Sequence, residues 1–305
     1  MGDIKLFHIS NHQVTELEGR SVAVEKSLQN LIEKHMEAIL GIRFLASEYS
    51  TGKVHGGRID SLGIDENGYP VIVEYKRSLN ENVINQGLYY LDWLMDHKGE
   101  FTLLVMQKLG AMAADAVEWS NPRLICIAGD FTKYDEYAVQ QINRNIELFR
   151  YRRYGDDLLL LELVNATTAV TDTQISSEKS PGKTKTHGKT VSDYLAQANP
   201  HLQDLYESLK AFLLALDDDV QFKVLKNYFA FKRIRNFACV EIYTRESKLL
   251  VFVKVDPDAV ELKKEFTRDV REIGHFGTGD LEIAIRSEDD LEMAKPLLVK
   301  SYEAS

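Results

Sequence analysis

Alternating apolar and polar positions in the first half of the chain predict strands and helices in turn. Val71–Lys76 is expected to form a strand, because Pro70 and the Asn67-Gly68 turn precede it and its side chains alternate between two faces. Apolar residues recur at helical spacing over about Val22–Leu40 and again over about Asn80–His97. These two segments are therefore predicted to be amphipathic helices on either side of the strand.

The alternation continues as far as residue 165. We predict, in chain order, a strand at Phe101–Met106, a helix at Gly110–Glu118, a strand at Arg123–Ala128, a helix at about Tyr134–Asn145, and a hairpin of Ile146–Arg153 with Leu158–Val164. Strands and helices that alternate in this way are typical of an α/β sheet.

Residues 166–191 interrupt this pattern and predict a flexible linker. They are rich in Ser, Thr, Lys and Gly and contain almost no large apolar side chains, so they cannot bury enough surface to order themselves. The chain of 305 residues is accordingly expected to hold two domains, 1–165 and 192–305.

The second domain is predicted to be a smaller α+β domain with an antiparallel sheet. Its expected elements are a helix at Leu202–Leu216, strands at Phe222–Phe231, Phe237–Thr244 and Leu249–Val255, a helix at Ala259–Phe266, a strand at Leu281–Ile285 and a helix at Glu288–Tyr302. Basic and aromatic residues interleave over 226–237, which suits nucleic-acid binding but also an ordinary sheet with one solvated face. The segment GHFGTGD (274–280) is either a ligand-holding loop or a tight turn.

Candidate chemistry gathers around one predicted hairpin. Asp60 ends a short apolar segment, and Glu74 and Lys76 share one face of the strand that follows the turn. Two carboxylates with waters and a phosphate suit Mg²⁺, and a nearby ammonium can hold the attacking water or stabilise developing negative charge. Gln86 and Tyr90 lie four residues apart, so they share one face of the following helix. Taken singly, an Asp at a strand end also suits a turn, and Glu-x-Lys also suits a solvated strand face.

Asp60, then Glu74-Tyr75-Lys76, then Gln86-x-x-x-Tyr90 resembles the motif of the PD-(D/E)XK nuclease superfamily. The Gln-x-x-x-Tyr element is similar to that of the RecB-like branch, above all to archaeal and actinobacterial mismatch-type endonucleases. The resemblance covers about residues 20–165, with Ile59 in place of the motif's proline. It implies an α/β restriction-endonuclease-like domain, with a mixed four- or five-stranded sheet flanked by helices, that hydrolyses DNA with Mg²⁺ or Mn²⁺.

The resemblance also implies roles for single residues. Asp60 and Glu74 would be metal ligands, Lys76 the catalytic lysine, and Gln86 with Tyr90 accessory residues. An acid on the leading helix would complete the metal site; Glu25 is the first choice, ahead of Glu33, Glu37 and Glu48. The second half of the chain resembles a widespread C-terminal domain of unknown function.

The net charge of −10 argues against a broadly basic DNA-binding surface, so DNA contacts are expected from local basic residues. These residues are Lys53, Arg58, Arg77, Arg150, Arg152 and Arg153. The run RYRR (150–153) contains the last three of these residues. It equally suits a solvated sheet edge whose charged side chains prevent pairing with another chain.

The remaining composition sets outer limits. Cys126 and Cys239 are expected to be free buried thiols of a protein in the reducing cytoplasm. No apolar run approaches the roughly 18 residues needed to span a bilayer, so no membrane association is expected. A homodimer is the default expectation for an assembly.

Two hypotheses follow. The first is a Mg²⁺-dependent endodeoxyribonuclease, acting on branched, mismatched or single-stranded DNA in repair or in defence against foreign DNA. The second is a non-cleaving nucleic-acid-binding or regulatory protein on a degenerate nuclease scaffold.

Overall fold

The computed structural model describes residues 4–20, 25–76, 83–167 and 189–305, without the side chains of Arg20, Glu25 and Val54. The chain divides into two compact units, Met1–Lys179 and Ser180–Ser305. Most of the predicted linker, and Arg77 among the predicted DNA contacts, lie outside the described residues.

The first unit contains nine strands and seven helices within its described residues. The strands are β1 (Leu6–Ser10), β2 (Gln13–Leu17), β3 (Gly19–Arg20), β4 (Ile42–Ser50), β5 (Arg58–Asp65), β6 (Pro70–Lys76), β7 (Arg123–Ala128), β8 (Asn145–Tyr154) and β9 (Leu158–Ala166). The helices are α1 (Glu25–Lys34), α2 (Met36–Leu40), α3 (Gly52–His55), α4 (Val83–Asp96), α5 (Lys98–Leu109), α6 (Ala111–Asp115) and α7 (Lys133–Gln140).

These elements build a mixed sheet flanked by helices, as the sequence predicts in outline. Its order is β3-β8-β7-β6-β5-β4, with β9 paired to β8, and β1 and β2 form a separate hairpin. The central strands β6, β7 and β8 run parallel, while β4, β5 and β9 pair antiparallel with their neighbours. The sheet has seven strands rather than four or five, because β3 and β4 were not predicted and pair at its two ends.

The prediction of a strand at Phe101–Met106 is wrong, because this segment lies inside helix α5. Phe101 and Val105 are the buried residues of α5, four positions apart on one helical face. A short apolar run cannot be assigned to helix or strand from periodicity alone, which explains the error. The long helix predicted over 22–40 is also divided: α1 ends at Lys34 and α2 begins at Met36.

The second unit is an antiparallel sheet covered by helices. Its elements are α8 (Val191–Ala196), α9 (Pro200–Leu214), β10 (Gln221–Val224), β11 (Phe229–Lys232), β12 (Asn236–Tyr243), β13 (Lys248–Val253), β14 (Thr267–Asp269), β15 (Leu281–Ile285) and α10 (Glu288–Glu303). The strand order is β10-β11-β12-β13-β15-β14, and every described pair is antiparallel. Apolar residues of the three helices and of one sheet face form its core.

Two predictions in this unit are wrong. Phe222–Phe231 is not one strand but the hairpin of β10 and β11, in which Val224 pairs with Phe229. Ala259–Phe266 is not a helix, since helical structure ends with the 3-10 turn Pro257–Ala259. Glu265 then adopts a left-handed backbone with φ of 67° just before β14, a conformation that does not continue a helix.

A buried cluster of ion pairs connects β5, β7 and β8 in the first unit. Arg123, at the start of β7, donates through Nε and Nη2 to the two carboxylate oxygens of Glu147 on β8, at 2.7 and 2.8 Å. Its Nη1 donates to Asp65 at the end of β5, at 2.8 Å. Asp65 also accepts the backbone N–H groups of Asn67 and Tyr69 in the β5–β6 turn. The cluster therefore stabilises the end of the sheet at which β6 begins, whereas Glu74 lies near the other end of that strand.

We predict that Arg123→Ala lowers the free energy of unfolding by about 3–5 kcal/mol, because it leaves two buried carboxylates without their cation. Urea denaturation followed by tryptophan fluorescence measures this, since both tryptophans, Trp93 and Trp119, belong to the first unit. The exposed Arg144→Ala is the matched control and should change the free energy by less than about 0.5 kcal/mol. Equal losses for the two variants would contradict the prediction.

Candidate active site

Asp60 and Glu74 meet where the pairing of β5 with β6 stops. The backbone register of the two strands ends at Ser61 opposite Val73. Beyond this pair, side-chain carboxylates replace backbone carbonyls as hydrogen-bond acceptors. The Asp60 N–H donates to Glu74 Oε1 at 3.1 Å, and the Tyr75 N–H donates to Asp60 Oδ2 at 3.0 Å. Each acid is thus held by the backbone at the other's strand, which fixes the two carboxyl groups side by side.

The Glu74 carboxyl is buried and only half satisfied. The residue has no solvent exposure, and Glu74 Oε2 has no hydrogen-bond partner. The pKa of Glu74 is raised to about 9, mainly by burial and next by the negative charge of Asp60. A buried carboxylate oxygen without a partner is unfavourable unless a proton or a cation meets it.

Lys76 is the cation closest in sequence to this pair. Its side chain lies on the same strand face as Glu74 and is half-buried. Burial raises the pKa of Asp60, whereas the Tyr75 N–H and the positive charge of Lys76 act to lower it. The charge of Lys76 also acts to lower the pKa of Glu74. The structure therefore brings together the three residues that the motif predicts.

Gln29 on α1 supports Asp60 from the other side of the sheet. Its Nε2 donates to the Asp60 carbonyl at 2.7 Å and to Glu33 Oε1 at 2.8 Å. Glu33 in turn accepts the Ser61 hydroxyl at 2.6 Å. Gln29 was not predicted; its signal in the sequence was a polar residue next to Leu28 in the apolar stripe of the helix. In the structure Gln29 is only 3% exposed.

Tyr90 and Gln86 hold the start of β5. Gln86 Nε2 donates to Tyr90 Oη at 3.1 Å, as expected for residues on one helical face, and the Arg58 N–H donates to the same oxygen at 3.3 Å. A Cβ at position 57 would lie 2.5 Å from the Tyr90 ring, so a larger residue there would displace the ring. These contacts position the backbone that carries Asp60, and the accessory role expected for Gln86 and Tyr90 stays a prediction.

A surface ion network lies beside Asp60. Lys26 Nζ lies 2.7 Å and Arg58 Nε 3.5 Å from the carboxylate oxygens of Glu48. The hydrogen bond from Lys26 is the largest cause that lowers the pKa of Glu48. Arg58 remains mostly exposed, as a contact to a phosphate backbone requires. Lys26 was not predicted and adds a second cation at this position.

The other acids predicted near the metal are placed as follows. The backbone of Glu25 begins α1, one residue before Lys26, and its side chain lies outside the described residues. Glu33 is engaged by Ser61 and Gln29, and Glu37 is exposed. Among the described residues, no group of three or more His, Cys, Asp or Glu side chains could hold a metal ion.

The predicted DNA contacts of the RYRR strand need correction at Arg150. Arg150 is buried and pairs with Asp130 at 2.7 Å and with Glu162 at 3.1 Å, so its guanidinium stabilises the interior and does not face a phosphate backbone. Arg152 and Arg153 are half-buried, and Arg153 donates to the Asp156 carbonyl. Lys53 on α3 is exposed.

The donor set formed by Asp60 and Glu74 fits Mg²⁺ or Mn²⁺. Mg²⁺ in proteins is commonly bound by one or two carboxylates, with waters and substrate phosphate oxygens in the remaining positions. The partnerless Oε2 of Glu74 is an available oxygen ligand, and it lies beside a second carboxylate. On the neighbouring strand β7, buried Cys126 lies opposite Glu74. Burial is the main cause that raises the pKa of the Cys126 thiol, and the charge of Glu74 acts in the same direction.

Comparisons with known proteins bear mainly on the second half of the chain. Residues 191–305 match the family described as "Domain of unknown function (DUF5655)", which confirms the expected C-terminal domain. An uncharacterized protein of Haemophilus influenzae is 29% identical over 306 residues, covering 98% of this chain and 100% of its own length.

Among solved structures, a repair endonuclease from Pyrococcus abyssi is similar with 21% identity and a TM-score of 0.28. The match covers 45% of this chain and 50% of that chain. The mixed sheet flanked by helices is seen in the structure itself, while the restriction-endonuclease-like assignment stays a prediction. No helix in the described part of the chain is both long and apolar enough to cross a membrane.

We predict that Glu74→Gln stabilises the metal-free protein near pH 8 and has little effect at about pH 4. The folded state keeps the Glu74 proton up to about pH 9, whereas the unfolded chain releases it near the ordinary value of 4.5. The wild type therefore loses stability as the pH rises between these values, and glutamine does not titrate. Thermal melts in chelator across this range measure the difference, at about 2–4 °C per kcal/mol.

Glu37→Gln, at an exposed site, is the control for this prediction. Its melting temperature should follow the wild type at every pH. A Glu74→Gln variant that also follows the wild type would contradict the described burial of the carboxyl group.

Proposed function

We propose that the first unit is a Mg²⁺- or Mn²⁺-dependent endonuclease that hydrolyses phosphodiester bonds in DNA. The observation that carries this proposal is the pairing of Asp60 with a buried Glu74 whose Oε2 has no partner, within range of the Lys76 charge. The motif resemblance supports DNA as the substrate.

The two carboxylates would be the ligands of the divalent ion. Burial and mutual repulsion make their adjacent negative charges unfavourable in the absence of a cation, so a bound cation is favoured at this position. The hydrogen bonds from the Asp60 and Tyr75 N–H groups fix the carboxyl orientation before binding. Gln29 and Tyr90 keep the backbone of β5 in place.

A divalent ion bound here would polarise a phosphate oxygen and lower the pKa of a water molecule. Lys76 donates hydrogen bonds from its ammonium to the attacking water or to the phosphate oxygen on which negative charge develops. Arg58 and Lys26, on the adjacent surface, attract and orient the phosphate backbone next to the scissile bond. This local supply of cations is what allows a chain of net charge −10 to bind DNA.

We predict that the purified protein cleaves DNA with Mg²⁺ or Mn²⁺, and that Asp60→Asn and Lys76→Ala each lower the rate about 100-fold or more. Branched, mismatched, single-stranded and double-stranded substrates should be assayed in parallel, because the site does not define the preferred DNA structure. Product length on denaturing gels distinguishes internal cleavage from digestion of ends.

Asp92→Asn on α4 and Lys108→Ala on α5 are matched controls, since both side chains are exposed on helices of the same unit. Both controls should keep wild-type rates. DNA binding without cleavage under every metal condition would reject the nuclease and favour the non-cleaving alternative.

We also predict that Asp60→Asn weakens Mn²⁺ binding about tenfold or more in the absence of DNA, because it removes one of two charged ligands. Electron paramagnetic resonance of free Mn²⁺ measures this without reference to activity. Asp92→Asn should bind Mn²⁺ as the wild type does. Unchanged Mn²⁺ affinity in Asp60→Asn would exclude this pair of carboxylates as the metal site.

A further inference from the structure

A cavity of about 550 Å³ opens beside β12 in the second unit. Six of its lining residues divide into three chemical kinds: one buried acid, three aromatic rings and two cations. They are Glu241, then Tyr194, Tyr243 and Phe276, then Lys189 and Arg245. The volume lies within the range of about 300–1,000 Å³ found for small-molecule sites.

Glu241 lies on the sheet face that the helices leave uncovered. The core against the helices is built from Val240, Ile242 and their neighbours, so the alternating Glu241 points to the other face. It is only 6% exposed, and its Oε1 accepts the Phe276 N–H at 3.1 Å. Tyr243, two residues along the strand, also hydrogen-bonds to it. A carboxylate so placed retains further acceptor positions for a ligand.

The loop GHFGTGD holds Phe276 rigidly at this cavity. The His275 ring stacks on Phe252 with centroids 4.1 Å apart and planes 2° from parallel. Gly277 has a φ of +80°, and a Cβ there would lie 2.5 Å from the Cys239 Cβ, so no other residue fits. Thr278 N–H donates to Cys239 Sγ. The loop is therefore bound closely to the sheet, and yet the Phe276 side chain remains 54% exposed.

The lining residues are complementary to a particular kind of ligand. Aromatic side chains stack on planar heterocycles, and a buried carboxylate binds neighbouring N–H donors. Lys189 and Arg245 are exposed and suit a phosphate group. Glu246 also lines the cavity, but its carboxylate pairs with Lys248. A simple organic cation would match Glu241 and the rings but would be repelled by Lys189 and Arg245. A nucleotide matches all three kinds of residue.

We propose that this cavity binds a guanine nucleotide, either free or within a nucleic acid strand. Guanine presents two adjacent N–H groups, at N1 and at the 2-amino position, on its pairing edge, and Glu241 accepts both. Phe276 and Tyr243 contact the faces of the base, and Lys189 with Arg245 bind its phosphate. The proposal depends on the second unit alone and is independent of the proposed nuclease activity.

The test is isothermal titration of the full chain with GMP, AMP, CMP and UMP at up to millimolar concentration. We expect GMP to bind about tenfold or more tightly than the other three, because they lack the paired donors. Titrations with single strands that contain or lack guanine distinguish a free nucleotide from a base within a strand. Tighter binding of the guanine-containing strand than of GMP indicates that the ligand is a guanine base within a strand.

Glu241→Gln is the diagnostic variant, because it keeps the side-chain size and an acceptor for the Phe276 N–H. It should weaken GMP binding about tenfold or more. Glu261→Gln is the control: this acid belongs to the same unit, is exposed and does not line the cavity. The control should bind GMP as the wild type does.

Phe276→Ala and the double variant Lys189→Ala with Arg245→Ala change exposed side chains, so they test the cavity even if Glu241→Gln does not fold. Phe276→Ala should weaken GMP about tenfold, and the double variant should weaken GMP more than guanosine. Absence of nucleotide binding, equal binding of GMP and AMP, or wild-type GMP affinity in Glu241→Gln and Phe276→Ala would overturn the proposal. Loss of GMP binding in Asp60→Asn would also overturn it, since binding would then belong to the first unit.

Discussion

The burial of the Glu74 carboxyl at the end of β6 is the constraint on which the first unit's chemistry depends. A fully buried acid with one partnerless oxygen is rarely kept in a protein core unless it has a specific partner. Here the neighbouring strand supplies a second carboxyl group rather than a base, and its negative charge makes ionisation of Glu74 still less favourable. The surrounding helices and the Arg123 cluster keep both strands in register, so the two acids cannot move apart to relieve it.

Features whose signal lies within one element could be predicted from the sequence. The strand Val71–Lys76, the helix that follows it and the Gln86–Tyr90 pair all rest on spacing within one element, and the structure reproduces each of them. The proximity of Asp60 to Glu74 required one turn between adjacent strands and could also be predicted. In the second unit, the strand at Leu281–Ile285 and the closing helix were recovered for the same reason.

The role of a residue whose partner is distant in sequence could not be predicted. Gln29 contacts Asp60 across 31 positions, and Arg150 is neutralised by Asp130 and Glu162 rather than exposed to solvent. Neither partner can be read from a single sequence without an alignment of strands. The run Phe101–Met106 shows a different limit, because six apolar-rich residues satisfy both helical and extended patterns until the packing of Phe101 and Val105 decides.

Each unit contains a single cysteine, and both are buried: Cys126 in β7 and Cys239 under the GHFGTGD loop. Alkylating reagents reach such thiols only after the surrounding strands open. The chain therefore carries one internal reporter for each unit. Timed alkylation, followed by peptide mass spectrometry, would resolve the opening of the two halves separately in the intact molecule, without labels or truncation.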